Sequence, residues 1–156
     1  MASHSFAGSS IGLARPDRVL VWLGAGCVVL GGLVAAVTRP LQLTDGSWAA
    51  AYLVLVCGVA QYVMGRVLGL PAVPGKPGWS LVAVWNLGNL AVIAGTLLEV
   101  PAIVDAGAVL LVAALGLAWL AGRAVPRPVG WLYRGMLLVL LVSIPVGVVL
   151  AHLRAG

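Results

Sequence analysis

Residues 79–98 read WSLVAVWNLGNLAVIAGTLL, an uncharged stretch that contains two carboxamides, Asn86 and Asn89. A helix of about 20 apolar residues, with a rise of about 1.5 Å per residue, crosses the hydrocarbon core of a bilayer. The stretch therefore predicts a membrane-spanning helix that carries two amide side chains into the hydrocarbon.

The rest of the chain repeats this pattern. Hydrophobic residues make up 62% of the sequence and charged residues 8%, whereas soluble domains average about 25% charged residues. A large soluble domain is thereby excluded. The predicted fold is an all-α integral membrane protein, a five-transmembrane-helix bundle over residues 19–153 preceded by a cytoplasmic tail, residues 1–18. The predicted helices are 19–37, 48–65, 79–98, 102–122 and 131–151.

Charges sort onto the two sides of this predicted bundle. One side carries Asp17 together with seven cations, whereas the other carries three acids, Asp45, Glu99 and Asp105, with Arg39 and Arg154. Cytoplasmic segments of membrane proteins are enriched in Lys and Arg. The N-terminus is therefore predicted in the cytoplasm and the C-terminus outside. The seven cations are Arg15, Arg18, Arg66, Lys76, Arg123, Arg127 and Arg134.

The basic character of the chain indicates a membrane, not a nucleic acid, as its partner. The isoelectric point is near 10.0, but the cations lie at helix ends, where they hold orientation and contact anionic headgroups. Eight arginines to one lysine, with abundant Ala, Gly and Val, are typical of a GC-rich bacterial genome. The predicted location is the bacterial inner membrane, as a multi-pass protein.

Small residues four apart indicate where helices approach closely in lipid. Because Ala and Gly are so abundant here, this pattern also arises by chance. The pairs are Gly31/Ala35, Gly32/Ala36, Ala114/Ala118 and Ala118/Gly122.

Four uncharged polar side chains are predicted to lie deep in the bundle. Counting along each helix puts Gln61 and Asn86 at a similar depth, with Asn89 and Ser143 closer to the bilayer midplane. An amide that faces lipid is costly, so we expect these groups to converge in the interior. Two interpretations stay open: interhelical hydrogen bonds that hold the bundle together, or a small ligand or permeation site.

A second group of polar residues lies at the predicted outer face: Asp45, Glu99, Asp105 and His152. Carboxylate oxygens and an imidazole nitrogen can bind a cation, although the spacing matches no metal motif and solvated helix ends are the simpler interpretation. No cofactor is predicted, because no histidine lies within a helix where it could ligate haem. Cys27 and Cys57 form no CxxC motif.

No GxSxG, HExxH or phosphate-binding loop is present, so the sequence offers no evident catalytic nucleophile or base and leaves enzyme activity open. Three function classes follow. The first is a membrane subunit or scaffold that packs against itself or a larger complex. The second is a small transporter, channel or apolar-ligand-binding protein that uses the uncharged polar groups, for which a cavity at their depth is expected. The third is a metal- or redox-linked accessory protein that uses the outer acids and His152.

Overall fold

The computed structural model describes residues 15–70 and 76–155. Within these ranges every regular element is helical, and five helices are long and apolar enough to cross a membrane. This confirms the all-α class and the number of helices. The helices are α1 (Pro16–Thr38), α2 (Gly46–Leu68), α3 (Lys76–Leu97), α4 (Pro101–Ala121) and α5 (Arg127–Ala155), with a short 3-10 turn at Gly122–Ala124 between the last two.

The predicted boundary between the N-terminal tail and the first helix differs from the observed one by three residues. Residues 1–14 lie outside the described residues, but α1 begins at Pro16, three residues before the predicted helix. Proline suits the first position of a helix because the missing N–H would have no partner there. Asp17 then lies in the first turn, where a carboxylate interacts favourably with the helix dipole.

Two tight connections join the helices at the end of the bundle that holds Glu99, here the Glu99 end. After α3, the Val100 amide donates to Gly95 O at 2.9 Å and the Glu99 amide to Thr96 O at 3.3 Å. This is a Schellman motif, which requires a left-handed residue, and Glu99 takes that position with φ 56°. Pro101 then begins α4. The turn after α1 has the same hydrogen bonds, with Gln42 at φ 51°.

Glycines let α1 and α2 pack backbone against backbone. Gly24 and Gly31 on α1 lie seven residues apart, as do Gly58 and Gly65 on α2. A Cβ atom added at Gly24 would lie 2.6 Å from the backbone nitrogen of Tyr62, and one at Gly65 would lie 2.7 Å from Asp17 O. Only a residue without a side chain allows such close contact, so these glycines determine how closely α1 and α2 approach.

Glycines also allow α3 and α4 to pack backbone against backbone. A Cβ at Gly95 would lie 2.7 Å from the Val104 backbone nitrogen, and one at Gly107 would lie 2.9 Å from Gly88 O. The close contacts therefore follow glycines spaced by seven. The predicted pairs at four-residue spacing hold only in part: Gly31, Ala114, Ala118 and Gly122 are buried, whereas Gly32, Ala35 and Ala36 are exposed.

The fifth helix is the least buried. It packs mainly on α4 and meets α2 chiefly through Gln61–Leu68. Only 11% of its candidate span is buried, against 44% for α2. The apolar core lies towards the other end of the bundle, here the arginine-rich end, where Leu20, Met64 and Tyr133 are almost completely inaccessible.

Candidate functional site

Gln61 and Asn86 meet between α2 and α3. The Gln61 Nε2 donates to Asn86 Oδ1 at 3.3 Å, and Asn86 Nδ2 donates to Val82 O of its own helix at 2.8 Å. Gln61 is fully buried, and its Oε1 has no hydrogen-bond partner in the described part of the chain. The contact thus joins two helices but leaves one buried acceptor unsatisfied.

Asn89 makes a separate contact closer to the Glu99 end. Its Oδ1 accepts a hydrogen bond from the Tyr52 hydroxyl at 2.9 Å, and its Nδ2 donates to Trp85 O at 2.9 Å. Asn89 is 4% exposed. Both asparagines therefore bond an amide hydrogen to their own helix and take a donor from α2 on their carbonyl oxygen.

A π-helical segment of α2, Leu53–Ala60, lies between the two donors Tyr52 and Gln61. Nine residues make roughly two and a half turns of α-helix and would place these side chains on opposite faces. A π-helix has i to i+5 hydrogen bonds and therefore more residues in each turn, so the same nine residues turn through a smaller angle. The wider segment therefore brings both donors to the face that contacts α3.

Ser143 does not join these pairs. Its hydroxyl donates to Leu140 O on the same helix at 2.7 Å, and the residue is exposed at the surface of the bundle. The structure thus brings Gln61 to Asn86, places Asn89 on Tyr52, and keeps the Ser143 hydrogen bond within α5. The four residues form two separate interhelical contacts and an intrahelical one.

A cavity of about 250 Å³ lies between α2, α3, α4 and α5, from the level of Trp85 towards the Glu99 end. Helix α2 contributes two aromatic side chains and a valine, α3 a tryptophan, a valine and a threonine, α4 aliphatic side chains, and α5 Ser143 and the residues around it. Among the described residues, those that line the cavity are all uncharged: Trp48, Tyr52, Val56, Trp85, Val92, Thr96, Val104, Ala108, Leu111, Leu115, Leu140, Ser143, Ile144, Gly147, Val148 and Leu150.

Among the lining residues, Trp85 carries a buried N–H group that has no hydrogen-bond partner in the described structure. The residue is 1% exposed, and its indole Nε1 has no hydrogen-bond partner within residues 15–70 and 76–155. Buried donors are nearly always paired in folded proteins, so an unpaired one needs an explanation. By contrast, the hydroxyls of Tyr52, Thr96 and Ser143 already donate to protein oxygens.

Among the residues predicted as metal ligands, the structure brings His152 and Asp105 together. His152 Nε2 lies 3.5 Å from Asp105 Oδ2, with both side chains about half exposed, and His152 Nδ1 lies 3.0 Å from Val148 O. Across the described chain, no three His, Cys, Asp or Glu side chains, Asp45 and Glu99 included, form a group that could hold a metal ion. The contact links α5 to the beginning of α4, next to the cavity.

Sequence reasoning missed Tyr52 and Trp85. Tyr52 lies six residues from the beginning of α2 and Asn89 eight residues from the end of α3, so both are at a similar depth from the Glu99 end, which is a usable signal for a hydroxyl in an apolar helix. Trp85 lies nine residues into α3, far from the interfacial positions that tryptophans favour.

Comparison of this chain with protein-family models, with curated proteins and with solved structures finds no match.

Proposed function

We propose that this chain is a multi-pass protein of the bacterial inner membrane that binds a small, mostly apolar ligand in the cavity between α2, α3, α4 and α5. The cavity is the observation that carries the proposal. Ligand sites are concave and predominantly apolar with a few placed polar groups, and this lining has that composition.

The packing of the bundle supports a site at this position. The buried core lies towards the arginine-rich end, whereas the cavity occupies the Glu99 half, beside the least buried helix. Interiors normally pack without voids larger than a water molecule. A cavity of about 250 Å³ in a bundle this small therefore indicates space that is kept for a ligand.

Native mass spectrometry of protein extracted gently from its host membranes tests the proposal. Wild-type protein is expected to carry a small-molecule mass excess. Ala108→Leu adds three carbon atoms at a buried, cavity-lining position, reduces the space for a ligand and should lower the fraction of protein that carries the excess. Ala106→Leu, on an exposed face of the same helix, is the matched control and should retain it. Bare wild-type protein, or an excess that Ala108→Leu leaves undiminished, would contradict the proposal.

Orientation is proposed with the arginine-rich end in the cytoplasm, by the positive-inside rule. A fusion of alkaline phosphatase to the C-terminus is then active, because that enzyme folds only outside the cytoplasm. A fluorescent C-terminal fusion to green fluorescent protein would reverse the assignment.

A membrane subunit or scaffold is the second candidate, favoured by the exposure of α5. Only 11% of that span is buried within the chain, so most of its surface is free for lipid, a second copy or another membrane protein. The same mass spectra distinguish these cases. A dimer mass or a co-purifying chain supports the subunit function, and a protomer with small-molecule excess supports ligand binding.

A further inference from the structure

A groove between α1 and α2 lies at the arginine-rich end of the bundle, away from the cavity in the Glu99 half. The first turns of α1 line it with Arg18, Val21 and Trp22, and the last turn of α2 lines it with Arg66. Both arginines are exposed. The groove therefore offers two accessible cations at the polar ends of two membrane-spanning helices.

Close packing of the two helices brings these arginines to one place. A Cβ atom added at Gly65 would lie 2.7 Å from Asp17 O and 2.8 Å from the backbone nitrogen of Val21. Arg66 directly follows Gly65 in the chain, and Arg18 directly follows Asp17. Because consecutive alpha carbons are only about 3.8 Å apart, both arginine side chains begin next to this backbone contact. They can therefore converge on one ligand that lies between α1 and α2.

The charge balance of the groove favours an anion. Its lining acid, Asp17, accepts a hydrogen bond from Arg15 Nε at 3.1 Å, so these two charges offset each other. Arg18 and Arg66 have no ion pair in the described part of the chain. Since α1 begins and α2 ends here, the dipoles of the two helix ends also offset each other. Two positive charges remain, and guanidinium groups suit the oxygens of a phosphate.

The apolar part of the groove matches a lipid better than a soluble phosphate. Trp22 lies one turn after Arg18, on the same face of α1, and is 76% exposed. Tryptophan favours the boundary between headgroups and hydrocarbon. A phospholipid places its phosphate at that boundary and its glycerol and acyl chains directly below it. The order of cation and then aromatic side chain along α1 follows the same order of polar and apolar parts.

We infer that this groove binds the headgroup of an anionic phospholipid, with Arg18 and Arg66 sharing its phosphate and Trp22 lying against its glycerol and upper acyl region. A zwitterionic lipid is disfavoured, because its ammonium group would lie close to the same two cations. The inference concerns one defined lipid site, beyond the general attraction of basic helix ends to the membrane surface, and it does not depend on the cavity ligand.

Titration of delipidated protein with two lipids tests the site. We would add phosphatidylglycerol, or phosphatidylcholine with the same acyl chains, to protein in an uncharged detergent, and measure the dissociation constants by native mass spectrometry. The test variant is Arg18→Gln/Arg66→Gln. The matched control is Arg123→Gln/Arg127→Gln, which removes the same charge from the same end of the bundle, at exposed residues that do not line the groove.

Each arginine near an anionic lipid should contribute about fivefold in affinity. Arg18→Gln/Arg66→Gln should therefore weaken phosphatidylglycerol binding about 25-fold and leave phosphatidylcholine binding nearly unchanged. The control should retain most of the wild-type affinity for phosphatidylglycerol. Equal losses in the two double variants would indicate unlocalised attraction and overturn the inference, as would a wild type without preference for phosphatidylglycerol.

Inorganic phosphate distinguishes a lipid from a soluble ligand. Phosphatidylglycerol should stay bound in a millimolar excess of phosphate, because the lipid also makes the apolar contacts that free phosphate lacks. Displacement of the lipid would assign the groove to a soluble phosphate compound and overturn the lipid assignment. Each of these outcomes leaves the proposed cavity ligand to be decided separately, by the mass spectra of Ala108→Leu.

Discussion

Replacing Asn86 by leucine should destabilise the bundle more than replacing its partner Gln61, although both changes remove the same hydrogen bond. Asn86→Leu leaves Gln61 fully buried with both ends of its amide unpaired, since Oε1 already has no partner in the described chain. Gln61→Leu instead removes that unsatisfied oxygen. Asn86 Oδ1 then loses its donor, but Asn86 keeps its 2.8 Å bond to Val82 O and is less buried than Gln61 or Asn89, so the loss costs less there.

The magnitudes follow from this difference. An interhelical hydrogen bond in a membrane averages about 0.6 kcal/mol, and a buried unpaired polar atom costs about 1–3 kcal/mol. Asn86→Leu should therefore lower the free energy of unfolding by about 2 kcal/mol. Gln61→Leu should change it by less than about 0.5 kcal/mol, because the lost bond and the removed orphan oxygen offset each other. The double variant should resemble Gln61→Leu.

The assay is reversible unfolding by SDS in mixed micelles, followed by far-UV circular dichroism. Thr96→Val is the matched control, because the Thr96 hydroxyl bonds only to Val92 O of its own helix and its loss should change the free energy of unfolding by less than about 0.5 kcal/mol. Equal losses from Asn86→Leu and Gln61→Leu, or a double variant that shows their sum, would refute the reasoning about the unpaired oxygen.

Three further predictions use the same unfolding titration or its thermal equivalent. Gly24→Ala should destabilise by about 2 kcal/mol or more, because its Cβ would meet the α2 backbone at 2.6 Å, whereas Gly26→Ala, with nothing within 4 Å, should be neutral or stabilise by up to about 1 kcal/mol. Tyr52→Phe should cost about 1–2 kcal/mol, because it leaves the buried Asn89 Oδ1 without its donor. Added Zn²⁺ should leave Tm unchanged, and a rise that His152→Ala abolishes would restore the metal-linked function.

The helices were predictable because hydropathy along one chain determines which segments can cross a bilayer. The predicted helices 19–37 and 79–98 end within one residue of the observed ends of α1 and α3, which lie near Glu99. Their other ends differ by three residues, because Pro16 and Lys76 extend the helices beyond the apolar part. Capping residues, unlike hydropathy, have no strong signature in a sequence this rich in glycine.

Helix pairing and the polar contacts were less predictable, because they depend on which faces meet. The spacing of four suggested Gly32 and Ala36 as contact residues, yet both are exposed, and the glycines that do make contact are spaced by seven. The convergence of Tyr52 and Gln61 on α3 depends on the π-helical segment Leu53–Ala60. Nothing in the residue types of that segment distinguishes it from an α-helix.

The two asparagines of α3 explain how a bundle with so little charge can fix one of its interfaces. Each satisfies an amide hydrogen on a carbonyl four residues earlier, so only its side-chain oxygen needs a partner from another helix. That oxygen can be satisfied only where α2 presents a donor, which makes the α2–α3 register specific without burying a charge. The Tyr52 donor also lines the cavity. A ligand in the proposed site would therefore lie against the residue whose hydroxyl joins α2 to α3.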